Sequence, residues 1–242
     1  MTPDLFSDLN LLLAQVRAWA VDSALVFARI GAFFAILPAF GERVVPARVR
    51  LFAALAMTLI VAPAVAARVP AIPGEPVAAT LFIGAETLIG LTLAIGLRLM
   101  VMVLQMAGTM AAQSTSLAQA FGGTMADPQP AFSQVLVMAG LAAIVATGLP
   151  QTMAALLVLS YDIFPAGAWP NPSALAEWGT GRVAHAFALA FTLAAPFVIG
   201  SGLYNLALGG LLLMLIAAPL MVSVWLSIFN DLSAAPDLMV QP

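Results

Sequence analysis

The chain has 242 residues, of which 63% are hydrophobic and 8% charged, with a mean hydropathy of +1.07. That is far from the half-apolar, quarter-charged usage of soluble domains and excludes an ordinary water-soluble fold. Eight arginines, no lysine and eleven acids leave a net charge of -3, too sparse for a nucleic-acid surface, and the lack of cysteine excludes disulfides, thiolate metal sites and a cysteine nucleophile.

The N-terminus, MTPDLFSDLN, holds Asp4 and Asp8 and no cation, so it lacks the basic first region of a cleavable signal peptide. A first apolar segment near residues 11–40 is therefore expected to be kept as a span, although it carries Arg17, Asp22 and Arg29. The loop GERVVPARVR supplies Arg43, Arg48 and Arg50, the only dense cation cluster, which puts it on the cytoplasmic side and the N-terminus outside. Residues 51–67 are uncharged between Arg50 and Arg68, close to the minimum for a crossing. Residues 76–97 form the next segment, interrupted by Glu86 and closed by Arg98, and residues 99–120 continue beyond it without charge.

From Pro128 to Tyr161 no charge occurs, and Gly148 and Pro150 are expected to break that run into segments near 132–148 and 151–164. The second is too short for a full crossing and reads as tilted, re-entrant or buried in protein. A loop, AGAWPNPSALAEWGTG, follows, with two tryptophans suited to a membrane interface. The 48 residues between Arg182 and Asp231 are all uncharged. As one straight helix they would reach about 72 Å, more than twice the roughly 30 Å of a hydrocarbon core, so they must turn back. Asn205 to Gly210 is the natural division, giving helices near 183–204 and 211–229, with Pro196 and Pro219 as kinks. The fold class is thus all-α, a polytopic helical membrane protein of kinked and broken helices, a single domain over residues 1–242 with six to eight segments at membrane depth.

The inventory for catalysis is poor. His185 is the single histidine, so no two-histidine zinc motif exists, and Gly200, Ser201 and Gly202 do not form a nucleophile elbow. The chain is read as no enzyme, with no cofactor and no metal site, and His185 as a packing or interface residue at a helix entrance. Charges within apolar segments carry more signal, because each costs about 2.5–3.5 kcal/mol at the bilayer centre and must face protein or water. Arg17, Asp22, Arg29, Glu86 and Arg98 qualify. Asp22 and Arg29 are seven apart and share a helix face, but about 10 Å of axial separation forbids a direct pair, so their partners come from another helix or subunit. The favoured role is pairing between helices or subunits; the competing one is an ion or proton pathway. Met100, Met102, Met106 and Met110 read as ordinary packing rather than a compliant seal.

Residues 113–130 are the oddest stretch. Gln113, Ser114, Ser116 and Gln119 lie between apolar segments, where unpaired polar groups facing lipid are costly, so they are expected to line a water-filled cavity or meet a partner. Gly122, Gly123, Asp127, Pro128 and Pro130 prevent a regular helix there. A loop of this kind at the centre of a membrane protein has the properties of a gate or plug.

Taken in order, LPAFGERVVPARVRLFAALAMTLIVAP from Leu37, ETLIG from Glu86, AGTMAAQSTSLAQAFGG from Ala107 with Asp127 and Pro128, LSYDIFPAG from Leu159, and LYNLALG from Leu203 resemble the FliR/SctT family of type III secretion export proteins over nearly the whole chain. The resemblance implies an inner-membrane subunit that joins FliP and FliQ in a pore-forming export gate for unfolded flagellar proteins, with FlhB and FlhA as neighbours. It also implies that Gln113, Ser114, Ser116, Leu117, Gln119, Phe121, Asp127 and Pro128 belong to the plug that closes the pore, and that parts of the subunit are lifted out of the bilayer plane. One departure stands out: the polar NRxxPQ-like hinge that the family carries after NLALG has no counterpart here, where Gly209 and Gly210 run into Leu211. The rival reading is a self-contained small-solute transporter, from the embedded charges and broken helices.

Overall fold

A computed structural model describes residues 3–38, 45–114, 131–203 and 207–234. Among them there is no strand, and the helices are α1 (Pro3–Ile36), α2 (Ala47–Val65), α3 (Pro76–Ser114), α4 (Ala131–Ala146), α5 (Leu149–Ile163), α6 (Pro172–Leu203) and α7 (Ala207–Ala234), with a short 3-10 turn at Ala66–Arg68. Among the described residues, three stretches are by length and composition long and apolar enough to cross a membrane: Phe6–Ile36, Ala47–Arg68 and Pro76–Gln113. A fourth is added if α4 and α5 count as one broken span. The fold class is as read.

Proline and glycine set most helix ends. Pro46 precedes α2, and its carbonyl accepts from the amides of Val49 and Arg50 at 3.0 and 3.3 Å. Pro76 and Pro172 each occupy the first helical position, where a missing amide hydrogen is no loss. The α6 helix therefore begins eleven residues before the expected position 183, taking in Glu177, Arg182 and most of the stretch expected as loop. That stretch has no proline after Pro172, so nothing stops the helix. His185 is an exposed residue well inside α6 rather than at its entrance.

The break between segments at Arg98 is corrected in the same way. The α3 helix runs 39 residues without interruption, because arginine is a good helix former and no proline lies within the run. Hydroxyls of Thr80, Thr87, Thr92 and Thr109 each donate to the carbonyl four residues back, at 2.8 or 2.9 Å, which satisfies them inside an apolar helix. Between α4 and α5 the axis turns by 76° at Thr147 and Gly148. Gly148 sits at φ 89°, where a side chain would be strained.

The chain forms two compact units. The first takes residues 1–94 and 154–171, the second 95–153 and 172–242, so α3 contributes to both. In the first unit α1 packs along α2, burying Leu25, Val26, Ile30, Phe33 and Phe34 on one helix and Ala54, Met57, Val61 and Ala62 on the other. The spacings of three and four residues are those of a helix with one packed face. In the second unit α7 packs on α4 and α6. Trp225 is wholly buried there, stacks on Phe229 at 5.4 Å, and donates its indole N–H to the carbonyl of Met100. Of the four methionines from Met100 to Met110, Met100 is buried, Met102 exposed, and Met106 and Met110 half-buried.

Candidate functional site: a buried charge network

Apolar helices place a guanidinium at depth only if its donors are used. Arg29 on α1 and Glu86 on α3 lie in the first unit with side chains 0% and 1% exposed. The guanidinium forks onto the carboxylate: Nε donates to Oε2 at 2.9 Å and Nη2 to Oε1 at 3.0 Å. Nη2 also donates to the Phe164 carbonyl, and Nη1 to Ser160 Oγ, each at 3.0 Å. The cation lies 3.7 Å from the centroid of the Tyr161 ring, adding a cation–π contact.

The carboxylate is equally occupied. Glu86 Oε2 accepts the Tyr161 hydroxyl at 3.3 Å, and Oε1 accepts the Gly167 amide at 2.9 Å. The Ser160 hydroxyl in turn donates a hydrogen bond to the Leu157 carbonyl at 2.7 Å. Both ions are thereby matched by charge and by hydrogen bonds, the condition under which a buried pair survives desolvation.

Two glycines make the approach possible. Glu86 and Gly90 are four residues apart and share one face of α3. Glu86 brings the counter-charge, while Gly90 leaves room for the backbone of α1, since a Cβ there would collide with the Arg29 carbonyl oxygen and lie 3.1 Å from the Ala32 Cβ. Gly167, at φ 75°, turns its amide toward Glu86, and a Cβ on it would strike the Phe82 ring. ETLIG and LSYDIFPAG, separated by more than sixty residues, are thus the two walls of one network around Arg29. At its edge Asp162 meets Arg68 at 3.2 Å with both side chains over 40% exposed, a pair worth little on its own.

The embedded charges do not act as one set. Arg29 and Glu86 are brought together; Arg17 is exposed, Asp22 is half-buried, and Arg98 lies about 18 Å along α3 from Glu86. Sequence reasoning named both ions of the pair but not their supporting groups Ser160, Tyr161, Phe164, Gly167 and Gly90, whose signal lay only in the motifs that carry the resemblance. Of the basic loop, Arg43 lies outside the described residues, Arg48 is exposed, and Arg50 donates to the Val45 carbonyl at 3.3 Å.

Of the plug residues, Gln113 is exposed at the end of α3, Ser114 is the helix's last residue, and Ser116, Leu117, Gln119, Phe121, Asp127 and Pro128 lie outside the described residues. The two helices that flank the segment are clamped together. Ser133 on α4 donates to the Gln105 carbonyl at 2.9 Å, and Gly108 on α3 is so close that a Cβ would come 2.7 Å from the Ser133 Cα.

The family described as bacterial export proteins, family 1, matches residues 20–211, a range that includes every residue of the Arg29 network. The flagellar biosynthetic protein FliR of Caulobacter vibrioides is 36% identical over 215 residues, covering 85% of this chain and 86% of that protein. Matches of this extent leave no doubt about ancestry, and the chain belongs to the bacterial export proteins, family 1.

Proposed function

We propose that this chain is a noncatalytic channel subunit of the flagellar type III protein export gate, passing unfolded flagellar proteins across the bacterial inner membrane at the flagellar basal body. In this reading it assembles with FliP and FliQ, with FlhB and FlhA nearby, and the segment around Ser116 closes the pore at rest. The observation that carries it is the match to a FliR protein over 85% of this chain and 86% of that protein. The Arg29 network adds support, since a fully satisfied ion pair staples helices together and leaves no unmatched charge there to hold a solute. The clamp at Gly108 and Ser133 holds the roots of the proposed plug against one another.

Deleting the gene is expected to stop filament assembly, with restoration by the wild-type copy; normal filament growth in the deletion strain rejects the export role. Removing Ser116 to Gly123 from the assembled gate is expected to raise the membrane's conductance to small ions while the other subunits still copurify. A conductance equal to that of the intact gate removes the plug assignment and leaves the export role standing.

A further inference from the structure

One polar stripe on α1 continues out of the packed part of the first unit. Asp8, Gln15, Asp22 and Arg29 recur every seven residues, and a helix drifts only about 20° per heptad, so the four lie on one narrow face. Arg29 is satisfied by Glu86. Its stripe neighbours are not: from Phe6 to Ala24 none of the described side chains is buried, and among the described residues no hydrogen bond or ion pair reaches Asp8, Gln15 or Asp22. Beside Asp22, the Ser23 hydroxyl is enclosed without a hydrogen-bond partner. Beside the stripe and around the helix from it lie Phe6, Leu9, Leu12, Leu13, Val16 and Trp19, each more than half exposed, with Leu12 and Trp19 on the same face as the acids.

Neither solvent suits this segment. Asp8 and Asp22 are about 21 Å apart along the axis, less than the roughly 30 Å of a hydrocarbon core. A bilayer anywhere across the segment therefore encloses at least one carboxylate, at a cost that only a partner removes. Water instead leaves six large apolar side chains uncovered on a single helix, a patch of the kind that marks an interaction surface. A protein surface with apolar side chains and cations satisfies both halves. A second copy packed stripe to stripe is disfavoured, because the like charges repel and the exposed Arg17 lies on the opposite side of the helix.

We propose that residues 6–24 of α1 dock against a helix of another membrane subunit, one whose facing side carries Arg or Lys opposite Asp8 and Asp22 with apolar residues alongside. The proposal rests on the reading of the chain as part of a multi-subunit gate and goes further by naming the surface and the chemistry of its partner.

The chain has no cysteine, so Gln15→Cys supplies a single thiol for a benzophenone probe in intact membranes with the other gate subunits co-expressed. The expected product is an adduct to one of those subunits, mapped by peptide mass spectrometry to a helix with an Arg or Lys within a few residues. Adding Asp22→Arg is expected to lower the yield about tenfold or more, as when one member of a desolvated charge pair is reversed. Asp22→Asn should lower it less. The thermal midpoint of the isolated chain should stay unchanged in both, since Asp22 bonds to nothing within the described residues. Adducts to lipid alone, to a second copy of the chain or to a segment without a cation overturn the proposal, as does a wild-type yield from Asp22→Arg. An adduct that forms as expected in cells whose filaments grow normally without the gene removes the gate reading and leaves the docking surface in place.

Discussion

Glu86→Leu is expected to destabilise the protein by about 3–5 kcal/mol, the cost of leaving one member of a buried pair uncompensated. A typical domain has only about 5–15 kcal/mol in total. Little folded protein should then be recovered from membranes in mild detergent. The loss strands more than Arg29, because the Tyr161 hydroxyl and the Gly167 amide also donate to this carboxylate. The double change Arg29→Leu with Glu86→Leu removes both charges and is expected to recover part of the loss, short of wild type, since the Phe164 carbonyl and Gly167 amide still lack partners. Arg29→Lys keeps the charge but not the planar fork, and one ammonium cannot reach Glu86 through two donors while also meeting Ser160 and Phe164. Its midpoint should fall between those of the wild type and the single Leu variant. A wild-type thermal midpoint for Glu86→Leu would show that the network contributes nothing.

The second large effect is expected at Gly90. In an open helix, Gly→Ala stabilises by up to about 1 kcal/mol through propensity. At Gly90 the added methyl meets the carbonyl oxygen and carbon of Arg29, backbone atoms that move only if α1 moves, so overpacking of about 1–3 kcal/mol should outweigh the gain. Gly179, in α6, has open space around the same position and is the internal comparison. Its Ala variant should be neutral or slightly more stable. Thermal midpoints of the two in the same detergent decide the matter: equal shifts would mean that α1 and α3 do not approach at Gly90. Because moving α1 pulls Arg29 from Glu86, Gly90→Val is expected to resemble Glu86→Leu.

Much of the architecture was legible without coordinates. Uninterrupted apolar runs force helices, since lipid offers no partner to an open backbone, and Gly148 with Pro150 located a bend that the structure makes at 76°. Helix limits are less legible: Arg98 reads as a boundary if charge is taken as an edge, whereas a charged residue with good helix propensity does not interrupt a helix, and even Pro63, Pro196 and Pro219 lie inside theirs. For the same reason α6 was expected to start too late, at 183 rather than Pro172.

Sequence alone determined the solvent, the helical class and the rule that Arg29 and Glu86 must find partners, because desolvating a charge is costly wherever the helix goes. Which partners they find was decided only by tertiary structure. Arg29 and Glu86 are 57 residues apart and Arg29 and Ser160 131 apart, and no local spacing rule reaches across such distances. What joins them is the absence of a side chain at Gly90 and the turn at Gly167, two features whose meaning exists only once α1 is laid against α3.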